Sequence, residues 1–177
     1  LTHIMTIRSE TPSMRAECVF GMQRLLPLLE AFSQEIEGVK TAQDIEHIHR
    51  MRVASRRLRA ALPLFMGCIP QREYHKWLLE IQKMTRALGD ARDTDVQIAF
   101  ITKIIKKRGR GRLNSQNDLS SSVSNKGDVE AVLLLQLQKK RSKLQASVLS
   151  ALEKLEKRGL IDEMRSFYLM QTAGIYK

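Results

Sequence analysis

The chain has 177 residues, 43% of them hydrophobic and 5% aromatic, enough for one packed domain or a pair of small helical units. Sparse Pro, Gly and aromatics favour helices over strands, and 30 Lys and Arg against 19 Asp and Glu give a formal charge of +11, which attracts polyanions without dictating a fold. No apolar run approaches the ~20 residues needed to span a bilayer and the N-terminus lacks a signal-peptide hydrophobic stretch, so the expected location is cytoplasmic, without membrane insertion.

Thr11-Pro12 has the form of a helix start. Behind it Cys18, Met22, Leu25, Leu29, Phe32, Ile36 and Val39 recur in steps of three and four, predicting a helix over 12–38 that Pro27 kinks or splits and Gly38 closes. Cys18 and Cys68 lie in apolar surroundings without CxxC spacing and read as buried free thiols. Thr41-Ala42-Gln43-Asp44 resembles a capping box opening a second helix that runs to Phe65 or Met66.

On a wheel of about 100° per residue, Ile48, Met51, Ala54, Leu58, Ala61, Leu62 and Phe65 of this helix share one side. His49, Arg52, Arg56 and Arg59 share another, flanked by Arg50 and Arg57. Residues 45–66 hold five arginines against one acid, so little within the helix neutralises them. Guanidinium groups bind phosphate oxygens in bidentate fashion. A ladder from His49 to Arg59 spans about 15 Å, longer than a single phosphate requires and suited to an extended polyanion. Pro63, one turn after Arg59, is expected to bend its end.

Tyr74, Trp77, Leu78, Ile81, Met84 and Leu88 mark the buried face of a third helix, with Arg72, Lys76, Lys83 and Arg86 as a second basic stripe. Lys76, Lys83 and Arg86 have Glu73 and Glu80 as neighbours, so a solvated face and a binding role are both open for them. Gly89 is read as the end or a bend of this helix, and Asp90 or Asp93 as the cap of a fourth that runs through Val96, Phe100, Ile101, Ile104 and Ile105. The six basic residues in 103–112 read as a solvated helix end.

Residues 12–108 thus form a four-helix bundle, and 109–128, rich in Ser, Asn and Gly without periodicity, a flexible linker or long loop. Leu134, Leu137, Arg141, Leu144, Val148, Ala151 and Leu155, in steps of three and four, predict a long fifth helix, and Ile161, Met164, Phe167 and Tyr168 a short one after Gly159. Together 129–177 read as the start of a second helical half, incomplete as it stands. The fold class is all-α, antiparallel helical bundles. His47 and His49 lack the i, i+4 spacing of a helical zinc site, so neither metal nor cofactor is expected.

HRMRVASRRLRAAL followed by LGDARDTDV resembles the CHAD domain, the conserved-histidine alpha-helical domain. The matching positions are His49, Arg52, Val53, Arg56, Arg57, Leu58 and Arg59, then Leu88, Gly89, Arg92, Asp93, Asp95 and Val96. The resemblance implies paired four-helix bundles flanking a basic groove that binds inorganic polyphosphate, with His49, Arg52, Arg56, Arg57 and Arg59, joined by Lys83 and Arg86, as its surface; the charge pattern adds Arg50 and Lys76 to the expected polyphosphate-binding set. It implies no catalysis, and an association with polyphosphate granules. Arg92, Asp93 and Asp95 read as structural groups pairing across the bundle.

The family's second basic helix has only a loose echo in Lys139-Lys140-Arg141-Ser142-Lys143, which leaves a shortened chain or half a site as the two readings. The alternatives in function are a phosphoryl-transferring or polyphosphate-hydrolysing enzyme using His49, without a P-loop or carboxylate pair to support it, and a nucleic-acid-binding protein, with few aromatics placed to stack bases. Self-association into a homo-oligomer is a further expectation.

Overall fold

A computed structural model describes the backbone of residues 12–42, 44–113 and 124–173, and the side chains of 15–42, 44–108 and 129–173. The described residues form helices α1 (Pro12–Ser33), α2 (Ile36–Thr41), α3 (Ile45–Ala61), α4 (Gln71–Leu113), α5 (Ser124–Lys157) and α6 (Leu160–Thr172), with a 3-10 segment, Leu62–Cys68, between α3 and α4. The all-α class expected from composition holds, and no strand occurs among the described residues.

The first predicted helix is divided, but not at Pro27, which stays inside α1. The chain turns at Gln34 and Glu35 instead. There the Ser33 hydroxyl donates to the Glu30 carbonyl (3.1 Å), the kind of local bond by which serine competes with helix continuation. Ile36 and Val39 still reach the core, as their spacing predicted.

Gly38 is not a helix stop. It lies within α2, whose end is set by Ala42 in the left-handed region (φ 52°, ψ 23°), its N–H donating to the Gly38 carbonyl. What Gly38 provides is room: a Cβ there would stand 2.2 Å from Nδ1 of His47. The cap of α3 is Asp44 and not Thr41, the Asp44 carboxylate accepting from the Glu46 N–H at 2.9 Å. Pro63 explains why α3 stops at Ala61 rather than at residue 65 or 66: it has no N–H for the Arg59 carbonyl, and the chain tightens into the 3-10 segment.

The largest departure is at Gly89. The predicted third and fourth helices are one 43-residue helix, α4, which passes through Gly89 and Asp90 without interruption. Its own periodicity accounts for this, since Trp77, Ile81, Met84, Leu88 and Ala91 form one continuous buried seam. A single glycine costs a helix interior only about 1 kcal/mol, which a seam of this length outweighs. Past that seam Val96 and Phe100 point outward, at 54% and 63% exposure.

The core draws on both ends of the chain. Met22, Leu25, Leu29 and Phe32 of α1, Met51 and Leu58 of α3 and the α4 seam join Val148, Leu152 and Leu155 of α5 and Met164, Phe167 and Tyr168 of α6 in one cluster. Trp77 packs edge-on against Phe167 and Tyr168, with centroids 5.4 and 5.9 Å away. Residues 12–108 therefore do not close a four-helix bundle by themselves. They contribute α1, the short α2, α3 and α4, and the remaining walls come from α5 and α6.

Of the stretch read as a linker, residues 109–113 finish α4 and 124–128 begin α5, while 114–123 lie outside the described residues. Cys18 and Cys68 are joined as a disulfide tying α1 to the 3-10 segment, which corrects the expectation of free thiols. Spacing alone could not reveal it, because the partner comes from a helix 50 positions away. Among the described residues no helix is long and apolar enough to cross a membrane.

Candidate functional site

The seam of α3 that buries Ile48, Met51, Ala54 and Leu58 fixes the helix's rotation against its neighbours. The arginines are divided accordingly. Arg52, Arg56 and Arg59 fall on the flank facing α4, where they meet Gln82, Thr85 and Arg86 in an open groove of about 450 Å³. Arg57 and Arg56 border a shallow depression of about 290 Å³ with Val53 and Ala60, on the outer side of α3.

Arg50 lies on the opposite flank and is engaged in structure. Its Nε donates to Glu35 Oε1 at 2.8 Å, and its Nη2 lies 2.9 Å from Nδ1 of His47. That same His47 nitrogen is 2.7 Å from Glu35 Oε2. One ring nitrogen cannot donate and accept at once, and the partly buried carboxylate favours Nδ1–H donating to Glu35. Burial pushes the Glu35 carboxyl up, but the Arg50 and His47 hydrogen bonds outweigh it and hold the group below the usual carboxylate range.

The groove arginines have few partners of their own. Arg52 Nη2 stands 3.7 Å from Asp93 Oδ1, a loose pairing, and its buried Nε has no hydrogen-bond acceptor among the described residues. The Arg52 side chain passes over Gly89, whose absent Cβ would lie 3.6 Å from that Nε. Arg56, Arg59 and Arg86 make no ion pair or side-chain hydrogen bond among the described residues. Thr85 spends its hydroxyl on the Ile81 carbonyl, at 2.7 Å, leaving the guanidinium groups as the groove's principal donors.

The second basic stripe is dispersed. Arg86 alone joins the groove. Lys76 is bound to Glu163 of α6, which also accepts from the Trp77 indole at 3.2 Å. Lys83 faces α5 and reaches Glu80 at 3.0 Å. Gln82 and Thr85 were missed by sequence reading, as uncharged side chains whose role depends on which helix α4 packs against.

His49 is half-buried beside the arginine flank, with no carboxylate hydrogen-bonded to its ring among the described residues. No group of three His, Cys, Asp or Glu that could hold a metal occurs among them either.

The second sequence motif is used to join helices. Arg92 Nη1 donates to Glu46 of α3 at 3.3 Å, Asp93 faces Arg52, and the buried Asp95 accepts from Arg141 Nε of α5 at 2.6 Å. Arg141, part of the loose echo of a second basic helix, is thereby turned inward, and it also donates to Gln145 at 2.9 Å. Gln145 in turn donates to the Val39 carbonyl at 2.9 Å, tying α5 to α2.

Against known proteins, the profile of one family, described as the CHAD domain, matches residues 23–174. That span runs through α5 and α6, beyond the two motifs of α3 and α4. No curated protein and no solved structure matches the chain.

Proposed function

The chain belongs to the CHAD domain family, and from that premise we propose that it is a non-enzymatic module that binds inorganic polyphosphate in the groove between α3 and α4. The observation that carries this reading is the convergence of Arg52, Arg56, Arg59 and Arg86 on one open groove with, among the described residues, a single loose carboxylate partner, Asp93. Unpaired guanidinium forks in proximity repel one another, and a chain of phosphates relieves that repulsion while accepting bidentate hydrogen bonds. Arg52 Nε, a buried donor lacking an acceptor, adds a reason for an oxygen ligand nearby.

Of the other residues, Arg57, which shares a neighbouring depression on α3 with Arg56, and His49, one turn before Arg52 and Val53 on the same helix, are assigned to flanking phosphates. Arg50 and Lys76 are assigned structural roles, because Glu35 and Glu163 already hold them. Association with polyphosphate granules would follow from such a site.

Labelled long-chain polyphosphate should bind tightly at low salt and weaken as salt rises, through release of condensed counterions. Replacing Arg52, Arg56 and Arg59 together by Ala should cost ~1,000-fold or more in affinity, at about 1.5–3 kcal/mol for each charge-assisted contact. Equal binding by the folded triple variant overturns the proposal. RNA of matched charge should compete poorly, and competition at equal strength would favour nucleic acid as the ligand.

A further inference from the structure

On the other side of α4 lies a larger groove, about 710 Å³, between α4 and α5. Its floor on α5 is made by Ala146, Ser147, Ser150 and Ala151, small side chains that leave the space open. Its basic groups are Lys83 of α4, Lys154 of α5 and Arg158 just beyond the end of α5. A single acid stands among them: Glu80, 8% exposed, whose Oε1 accepts from Lys83 Nζ at 3.0 Å and from Arg158 Nη1 at 2.6 Å. One carboxylate against three cations leaves the groove net positive, and Lys154 has no ion pair among the described residues.

The two grooves are neighbours across the exposed back of α4. Arg86, which lines the first, and Lys83, which lines the second, are three positions apart on one helix and both exposed, so they stand side by side one turn apart. They form a bridge of positive charge over α4, from the arginines of α3 to Lys154 and Arg158.

We infer that bound polyphosphate crosses α4 transversely, from the α3–α4 groove over Arg86 and Lys83 into the α4–α5 groove, where Lys154 and Arg158 bind its far end. This rests on the polyphosphate reading above and deepens it, by naming a second half of the site and a dependence on chain length. Adjacent packed helices lie about 8–10 Å apart, so a ligand touching α3 and α5 together spans roughly 20 Å. Tripolyphosphate is too short for that span and occupies the arginine groove alone. A long chain fills both grooves.

The experiment compares dissociation constants of tripolyphosphate and long-chain polyphosphate for the whole chain and three variants. The double variant Lys154→Ala/Arg158→Ala should leave tripolyphosphate affinity within about twofold and weaken long-chain binding about tenfold, the scale of one to two lost charge contacts. Arg56→Ala/Arg59→Ala should weaken both ligands. Because Arg158→Ala also removes a partner of Glu80, Ser150→Asp serves as a third variant: it places a negative charge in the groove without touching Glu80 and should likewise weaken only the long chain.

Long-chain affinity unchanged in both α5 variants, with the α3 variant impaired, overturns the transverse path and leaves the arginine groove standing. Equal weakening of both ligands by the α5 variants overturns it too, since the short ligand would then also reach α5. If neither ligand binds the unaltered chain, the polyphosphate reading itself fails and this inference with it.

Discussion

Gly89 separates two pictures of this fold, and its substitution by alanine distinguishes them. A glycine that ended a helix would hold a left-handed backbone, and a Cβ there would cost 1 kcal/mol or more by order of magnitude. Gly89 is instead interior to α4, and Gly159 is the one glycine with positive φ among the described residues. The Cβ of alanine would meet a single nearby atom, Arg52 Nε at 3.6 Å, an ordinary van der Waals distance.

With strain absent and space available, what remains is the difference in helix propensity, about 0.5–1 kcal/mol in favour of alanine. For a chain of this size that raises the melting temperature by roughly 1–4 °C, readable by circular dichroism or calorimetry. Polyphosphate affinity should hold for Gly89→Ala but fall for Gly89→Leu, whose longer side chain displaces the Arg52 guanidinium. A lower melting temperature for Gly89→Ala would refute a continuous α4.

Two other perturbations probe the bundle away from the groove. Cutting the Cys18–Cys68 disulfide, which closes a loop 50 residues long, should cost about 4 kcal/mol through loop entropy returned to the unfolded chain; urea unfolding with and without reductant measures it, and coincident curves for chains verified as oxidised and reduced would count against the link. In the folded chain the hydrogen bond from Arg165 lowers the Glu30 pKa, against the upward push of burial. The unfolded value is about 4.3, so the stabilisation is complete above that and disappears as pH falls through the lower, folded value. Melting temperatures of the parent chain and Arg165→Met should therefore differ at neutral pH and converge in acid, and a gap independent of pH would exclude this linkage.

The seams of α1, α3 and α5 were legible in the sequence because period alone determines which residues face inward: Met22, Leu25, Leu29, Phe32, Ile48, Met51 and Val148 are all buried as spaced. Glycine was sound punctuation at Gly159, which has positive φ and separates α5 from α6, but not at Gly38 or Gly89. Gly38 accommodates an imidazole and Gly89 underlies an arginine, and both reasons lie on a neighbouring helix, out of reach of local pattern.

The same applies to the basic residues. The wheel grouped His49, Arg52, Arg56 and Arg59 on one side; the groove takes in the three arginines and not His49. It could not say that Arg50 belongs to Glu35, that Lys76 belongs to Glu163, or that Arg141 belongs to Asp95, because each partner is supplied by another element. Lys154 and Arg158, four positions apart, carried a readable signal, but only the position of α5 beside Lys83 gives it meaning.

The unbroken course of α4 also has a mechanical consequence. Its 43 residues make a rod of about 65 Å, and Arg86 lies near the first third of that length. Between Arg86 and Arg108 the rod runs roughly 33 Å, so a tilt of ~10° about the arginine groove would carry the far end through about 6 Å. Glu130 of α5 is paired with Arg108 there, which would make the two helices swing together. In this fold a small reorientation at the groove is geared up into a displacement the size of a side chain at the far tip.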